Sequence, residues 1–87
     1  MTYAVEWTAD AERRLLDVVP IEDAAWLDRS IRAFTEWGEG DVRRWDPPAL
    51  PTGFVLVLSG YRIGFLLNRA DRVLLVVRLW RARRPIT

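Results

Sequence analysis

The stretch that decides the fold is residues 54–68, with the sequence FVLVLSGYRIGFLLN. Two runs of β-branched, aromatic and aliphatic residues flank Ser59-Gly60, a dipeptide typical of a short hairpin turn. We therefore predict two antiparallel strands, at Phe54–Ser59 and Tyr61–Asn68. The segment upstream of this hairpin, residues 46–53, contains three prolines and a glycine, and we predict a loop there.

Working outward from the hairpin, the pattern predicts three more strands and two helices. The strands are Tyr3–Trp7, Asp41–Trp45 and a last strand running from Arg72 to Leu79 or Trp80, and the helices are Ala9–Val19 and Ile21–Trp37. The order β-α-α-β-β-β-β predicts an α+β fold: a single domain over residues 1–87, in which an N-terminal strand and a two-helix hairpin pack on a small, mainly antiparallel β-sheet.

The helix boundaries have local causes. Thr8 is a good N-cap for the first helix, because its hydroxyl can accept a hydrogen bond from the first turn. Pro20 ends that helix, since proline has no amide proton and restricts the residue before it. Gly38 is a plausible C-terminal cap for the second helix.

The charges are sorted along the chain. Residues 1–40 carry nine acidic residues and four arginines, whereas residues 41–87 carry nine arginines and three acidic residues. The basic half also contains most of the predicted strands, so we expect a sheet with a positive surface. Such a surface attracts polyanions, with nucleic acid as the first candidate and an acidic protein as the second.

Composition excludes several kinds of chemistry. The chain has no cysteine, histidine or lysine, so thiol chemistry and the commonest metal ligand are absent, and we predict no metal site and no cofactor. Arginine stays protonated and can bind phosphate, but it is a poor general base. No membrane-spanning run or secretory signal is visible, so we expect a cytoplasmic protein with no membrane partner.

The arginines near the last two strands form the candidate site. Arg62 begins one strand, and antiparallel pairing with the next strand predicts that it lies near Arg78. Opposed like charges destabilise a sheet unless an anion lies between them, which favours a phosphate or carboxylate site over a merely solvated basic edge. The expected anion-binding and nucleic-acid-binding residues are Arg43, Arg44, Tyr61, Arg78, Trp80 and Arg84, with the two aromatic rings available for base stacking.

Two apolar features indicate a partner or additional packing. Val55 and Val57 alternate with other apolar residues, so the Phe54–Ser59 strand is apolar on both faces. The second face is therefore predicted to be covered, either by the chain's own tail or, as we favour, by a partner. Trp26 and Trp37 form a second stripe on the long helix, which either widens its contact with the sheet or meets another chain.

Several short motifs, taken in order, resemble the RelE/ParE toxin superfamily. They are the opening Tyr3-Ala4-Val5-Glu6-Trp7-Thr8, the segment Gly40-Asp41-Val42-Arg43-Arg44-Trp45, the hairpin end Gly60-Tyr61-Arg62-Ile63-Gly64-Phe65, and Val73–Arg78 with the arginine-rich end. The likeness extends over essentially the whole chain.

The resemblance implies the toxin of a type II toxin–antitoxin pair, with a cognate antitoxin that masks the basic surface. RelE-like members cut mRNA in the ribosomal A site, where basic residues stabilise charge on the phosphate while the RNA 2′-hydroxyl attacks. ParE-like members poison DNA gyrase without nuclease activity. A binding homologue without toxicity is the third alternative.

The resemblance also implies residue roles. Arg62 matches the arginine that contacts the scissile phosphate, and Arg81 or Arg83 matches the basic position after the last strand. RelE-like nucleases present basic side chains at the positions of Val55 and Val57, and a closing Tyr or His that is absent here. These departures are compatible with the gyrase-directed alternative. The predicted antitoxin-binding residues are Val55, Val57, Trp26 and Trp37.

Overall fold

The computed structural model describes residues 2–46, 48 and 51–82. Its elements are β1 Ala4–Trp7, α1 Ala9–Val18, α2 Ile21–Trp37, β2 Asp41–Trp45, β3 Gly53–Leu58, β4 Tyr61–Asn68 and β5 Val73–Arg81. The five strands form one sheet in the order β1-β5-β4-β3-β2. Only β1 pairs in parallel, with β5, and the other neighbours are antiparallel, so the predicted α+β fold with a mainly antiparallel sheet is confirmed.

The helix boundaries agree with the local sequence signals to within one residue. The Thr8 hydroxyl accepts a hydrogen bond from the Ala11 amide at 3.2 Å and caps α1. Val19 has an extended conformation before Pro20, so α1 ends at Val18, one residue earlier than expected. After α2, Gly38 adopts φ +70°, the left-handed conformation that glycine tolerates without steric cost.

The hydrophobic core lies between α2 and one face of the sheet. Leu27 and Ile31 of α2 are at most 2% exposed. The sheet residues buried against the helices are Leu56, Tyr61, Ile63, Phe65, Leu74, Val76 and Leu79. Both helices contribute to this core, and in the described part of the chain neither helix packs on the opposite face of the sheet.

A β-bulge interrupts the ladder between β4 and β5. Gly64 pairs with Arg78, but the next residue, Phe65, pairs with Val76, so Val77 is the extra residue of β5. Because side chains alternate between the two faces of a strand, one extra residue reverses the faces of everything beyond it.

The bulge therefore decides which side chains at the end of β5 share a face. Val76 is fully buried on the helix side, and uninterrupted alternation would direct Arg78 and Trp80 to that same side. With the bulge, Leu79 and Arg81 lie on the helix side instead, and Arg78 and Trp80 lie on the opposite face.

Candidate nucleic-acid interface

The side of the sheet turned away from the helices, which we call the open face, carries the candidate site. Two cross-strand rows cover it from β2 to β5, namely Arg43, Val55, Gly64, Arg78 and then Asp41, Val57, Arg62, Trp80. Three of the predicted arginines and one predicted aromatic residue therefore lie together.

Arg62 is held at the start of β4 by the hairpin turn itself. Its Nη1 donates to the carbonyl oxygens of Leu58 and Tyr61, each at 2.8 Å, which uses both hydrogens of that nitrogen. Within the described residues no carboxylate forms an ion pair with Arg62. The donors on Nε and Nη2 make no hydrogen bond there either, and they form the fork that binds a phosphate with two parallel bonds.

The predicted opposition of Arg62 and Arg78 is wrong in its register. Arg62 lies directly across from Trp80, and Arg78 lies across from Gly64, two residues along the same face. Such diagonal neighbours are about 7–8 Å apart along the backbone, still within reach of long side chains. An anion between them is therefore not required by repulsion, although both guanidinium groups face the same side.

Two tryptophans and Arg78 form a cluster in the middle of the open face. The rings of Trp45 and Trp80 have centroids 6.1 Å apart and are tilted by 42°. The Arg78 guanidinium lies over the Trp45 ring at 5.6 Å, within the range of a cation–π interaction. Trp45 is not among the residues predicted for the site, because no local sequence pattern indicates its contact with Gly64 of β4.

Gly64 is the reason that the Trp45 ring can approach the β4 backbone closely. A β-carbon at residue 64 would stand 2.7 Å from Cζ3 and 2.9 Å from Cη2 of Trp45, closer than real contacts allow. Only glycine gives the indole this space.

Replacing Gly64 with alanine is expected to push the Trp45 ring off the sheet and to loosen its contacts with Trp80 and Arg78. We expect the free energy of unfolding to fall by about 1–3 kcal/mol, the usual cost of overpacking. Urea unfolding and the tryptophan emission maximum measure both effects. In a Trp45→Ala background the same substitution should cost clearly less, and an equal cost in both backgrounds would contradict the explanation.

Arg43 and Arg44 are each paired with a neighbouring acid. Nε and Nη2 of Arg43 donate to the two carboxylate oxygens of Asp41 at 3.2 and 3.1 Å, and this hydrogen bonding lowers the pKa of Asp41 below its ordinary value. Arg44 pairs with Asp46 at 3.2 Å and lies across from Phe54, on the helix side. Arg44 therefore lies away from the open face. Arg43 lies on the open face, but Asp41 partly neutralises its charge.

Tyr61 and Arg81 lie on the helix side, which corrects two expectations. Tyr61 is 3% exposed, and its hydroxyl donates to Oδ2 of Asp23 in α2 at 2.8 Å, so its ring is not available for stacking on a base. Arg81 pairs with Tyr61 across the strands and places its guanidinium 5.6 Å from that ring. The bulge at Val77 is the cause, because it reverses the face of each later residue of β5 and so places Arg81 on the opposite side of the sheet from Arg62.

The buried Tyr61 predicts a pH dependence of stability. Burial, followed by the hydrogen bond to Asp23, raises the pKa of Tyr61 above its ordinary value. The neutral phenol is favoured in the folded state, so its contribution to stability is complete below the unfolded pKa and is lost as the pH rises through the folded one. We expect Tyr61→Phe to be less stable than wild type at pH 7, by about 1 kcal/mol for the lost hydrogen bond.

Urea unfolding between pH 7 and pH 11 measures this effect. The wild type should lose stability above about pH 10, and Tyr61→Phe should lose less over the same interval. The matched control is Tyr3→Phe, because the chain has two tyrosines. An equal loss of unfolding free energy at alkaline pH in wild type and Tyr61→Phe would show that Tyr61 is not the cause of the pH dependence.

The predicted antitoxin-binding residues are distributed over different surfaces. Val55 and Val57 are half-buried on the open face. Trp26 lies on the helix side, with its ring 6.3 Å from that of Tyr61. Trp37 ends α2 and is 75% exposed. These four residues therefore do not form one contact surface.

Two further predicted residues, Arg83 and Arg84, lie outside the described residues. In the described ranges, no group of three or more acidic side chains is arranged to hold a metal ion. No described helix is both long enough and apolar enough to cross a bilayer.

Comparison with known proteins identifies the fold. No family model and no curated protein sequence matches the chain. Among solved structures, the chain is similar to an archaeal RelE–RelB complex from Pyrococcus horikoshii OT3, with 18% identity, a TM-score of 0.76, and coverage of 97% of this chain and 99% of that one. It is also similar to the RelBE2 toxin–antitoxin complex of Mycobacterium tuberculosis, with 16% identity, a TM-score of 0.75, and coverage of 94% and 100%.

The intact E. coli RelBE toxin–antitoxin complex is a further similar structure, with 14% identity, a TM-score of 0.60, and coverage of 95% and 100%. Coverage is nearly complete in both directions, so the likeness extends over the whole fold. At these identities it establishes shared architecture, and the chemistry must be argued from this chain's own residues.

Proposed function

We propose that this chain, which has the fold of the toxins in RelB–RelE complexes, is the toxin of a toxin–antitoxin pair and arrests growth by cleaving mRNA on the ribosome. The observation that carries this proposal is the pair of arginines on the open face, Arg62 and Arg78. Neither forms an ion pair within the described residues, whereas Arg43 and Arg44 do. An unpaired arginine fork on a solvent-facing sheet is suited to phosphate.

The proposed mechanism relies on charge stabilisation. The chain has no histidine, cysteine or lysine to act as a neutral-pH base or nucleophile. The RNA supplies the nucleophile: its 2′-oxygen attacks the adjacent phosphorus, the bond to the 5′-oxygen breaks, and the 2′-hydroxyl proton is transferred to the leaving oxygen through solvent. Arg62 stabilises the charge that accumulates on the phosphate oxygens, and its Nη1 contacts orient it in advance.

A cognate antitoxin is the proposed protein partner. The similar solved structures are of toxin–antitoxin complexes. The open face combines the arginines with the half-buried Val55 and Val57, so an antitoxin segment with apolar and acidic side chains is complementary to it. Binding there would mask the arginines and suppress the activity.

A second candidate is a DNA gyrase poison, and two observations favour it. Val55 and Val57 face the same side as Arg62, so the strand beside Arg62 carries no basic side chain on this face. Arg81, on the helix side, also does not add its charge to that of Arg62. A phosphate would therefore meet fewer cations than the mRNA-cleaving mechanism ordinarily uses.

Induced expression with two simultaneous readouts tests these proposals. Primer extension across ribosome-bound mRNA reports cleavage in the A site, and plasmid topology reports gyrase activity. We expect growth arrest with A-site cuts and normal supercoiling. Growth arrest with intact mRNA and relaxed plasmids would overturn the nuclease in favour of the gyrase poison, and normal growth at full expression would overturn both.

A further inference from the structure

We propose that Trp80 is a stacking platform for one unpaired base of single-stranded RNA, with Trp45 as its support and Arg62 and Arg78 as the contacts for the flanking phosphates. The inference rests on the proposed function in taking RNA as the ligand. It adds the site at which a base is held, which is a different question from cleavage.

The aromatic pair on the open face is not explained by the hydrophobic core. The core is built from the helix-side residues of the sheet, whereas Trp45 and Trp80 lie on the opposite side and are only half-buried. Large apolar rings on a solvent-facing surface are typical of a binding site. In addition, the residue at position 64 is a glycine, which leaves space for the Trp45 ring against the sheet.

The geometry identifies Trp80 as the ring that a base can reach. The six-membered part of the Trp45 ring lies against Gly64, and the Arg78 guanidinium lies over the ring at 5.6 Å. The two indoles are 6.1 Å apart and tilted by 42°, which leaves no space for a base between them. Trp80 is half-buried, so we place the base on the exposed part of its ring, with Trp45 as the neighbouring ring that supports it.

Two guanidinium groups flank this platform. Arg62 lies directly across from Trp80 on the neighbouring strand, at a separation of about 5 Å between such cross-strand neighbours. Arg78 lies two residues before Trp80 on the same face of β5. Neither forms an ion pair within the described residues, although Asp41 of the same row, whose pKa Arg43 lowers most, is close enough for Arg62 to lower that pKa too. Both guanidinium groups can therefore contact the phosphates on either side of a stacked nucleotide.

An RNA strand fits this surface better than an acidic peptide does. A nucleotide presents a flat π-system and a phosphate in one unit, whereas a peptide needs separate apolar and acidic side chains to cover the Trp80 ring and the arginine fork. Stacking on a ring tolerates any base, so the platform is expected to bind without sequence preference.

Fluorescence anisotropy with a labelled ten-residue oligouridylate tests the platform without ribosome or antitoxin. We expect Trp80→Ala to weaken binding by about 5- to 150-fold, the range for loss of one base–aromatic stack. Trp80→Phe should retain most of the affinity, since a smaller ring still stacks. Arg78→Ala should reduce the salt dependence of binding by about one ion.

Matched controls separate stacking from general charge or misfolding. Trp7→Phe, on the helix side of β1, and Arg69→Ala, in the β4–β5 turn, should bind like wild type. Inorganic polyphosphate, which has no base, should bind wild type and Trp80→Ala equally. Circular dichroism checks that each variant is folded. If Trp80→Ala does not fold, the comparison of Trp80→Phe with wild type still tests the platform.

Four results would overturn the inference. The first is that the wild type does not bind oligouridylate at low salt, and the second is that Trp80→Ala weakens the binding of oligouridylate and of polyphosphate equally. The third is that the wild type binds ten-residue oligothymidylate DNA more tightly than the RNA. The fourth is that Trp80→Ala is no longer neutralised by the antitoxin while its RNA binding is unchanged. The last would make the face a protein interface. Because the assay reads binding alone, normal growth on induction would overturn the proposed toxin activity and not the platform.

Discussion

Replacing Phe65 with alanine is expected to lower the free energy of unfolding by about 3–5 kcal/mol, which is the usual cost of truncating a fully buried phenylalanine. Phe65 is 1% exposed and lies at the centre of the core. Its ring has centroid distances of 5.4 Å to Phe34 of α2 and 5.8 Å to Phe54 of β3. The substitution removes these contacts with α2 and β3, and it leaves a cavity in the core.

Urea unfolding followed by far-ultraviolet circular dichroism measures this loss. A small domain has about 5–15 kcal/mol of stability in total, so a loss of this size is a large share of it, and the urea midpoint should move clearly to lower concentration. Two controls bracket the effect: Phe65→Leu, which retains most of the volume, should lose less, and Ala70→Ser in the exposed β4–β5 turn should change little. A Phe65→Ala midpoint close to wild type would show that the core does not depend on this ring.

Replacing Arg62 with alanine is expected to reduce cleavage of ribosome-bound mRNA by about 10²–10³-fold, the loss seen when one donor to a developing oxyanion is removed. The physical reason is that Arg62 is oriented before substrate arrives, by two 2.8 Å hydrogen bonds to carbonyl oxygens. Growth arrest should weaken in parallel. Stability should change by only about 1 kcal/mol, because both carbonyls lie near the solvent-facing turn.

Two further variants make the Arg62 result specific. Arg62→Lys preserves the charge but removes the planar fork, so we expect it to remain well below wild type. Arg69→Ala removes an equal charge from the exposed β4–β5 turn and should leave both cleavage and growth arrest unchanged. Cleavage by Arg62→Ala at the wild-type rate would show that Arg62 has no part in the mechanism. Relaxed plasmids without mRNA cleavage on expression of the wild type would favour the gyrase poison.

Much of the fold could be predicted because its causes are local in the sequence. The cap at Thr8, the break at Pro20 and the turn at Ser59-Gly60 act over a few residues, and the structure has an element boundary at each. Of the candidate site, Arg62 with Arg78 and Trp80 could be assigned to neighbouring strands from antiparallel pairing alone. Trp45 could not, because nothing near it in sequence indicates that its ring rests over a glycine of another strand.

What the sequence by itself determined is the set of helices and strands, their order, and the sign of the charge on the sheet, since each depends on residues close together in the chain. What only the tertiary structure decided is which face each side chain at the end of β5 presents. One extra residue, Val77, shifts the alternation, so that Arg78 and Trp80 join Arg62 on the open face while Arg81 turns toward the helices. A strand's side chains alternate with a period of two, and a bulge changes that parity without leaving a clear mark in the sequence.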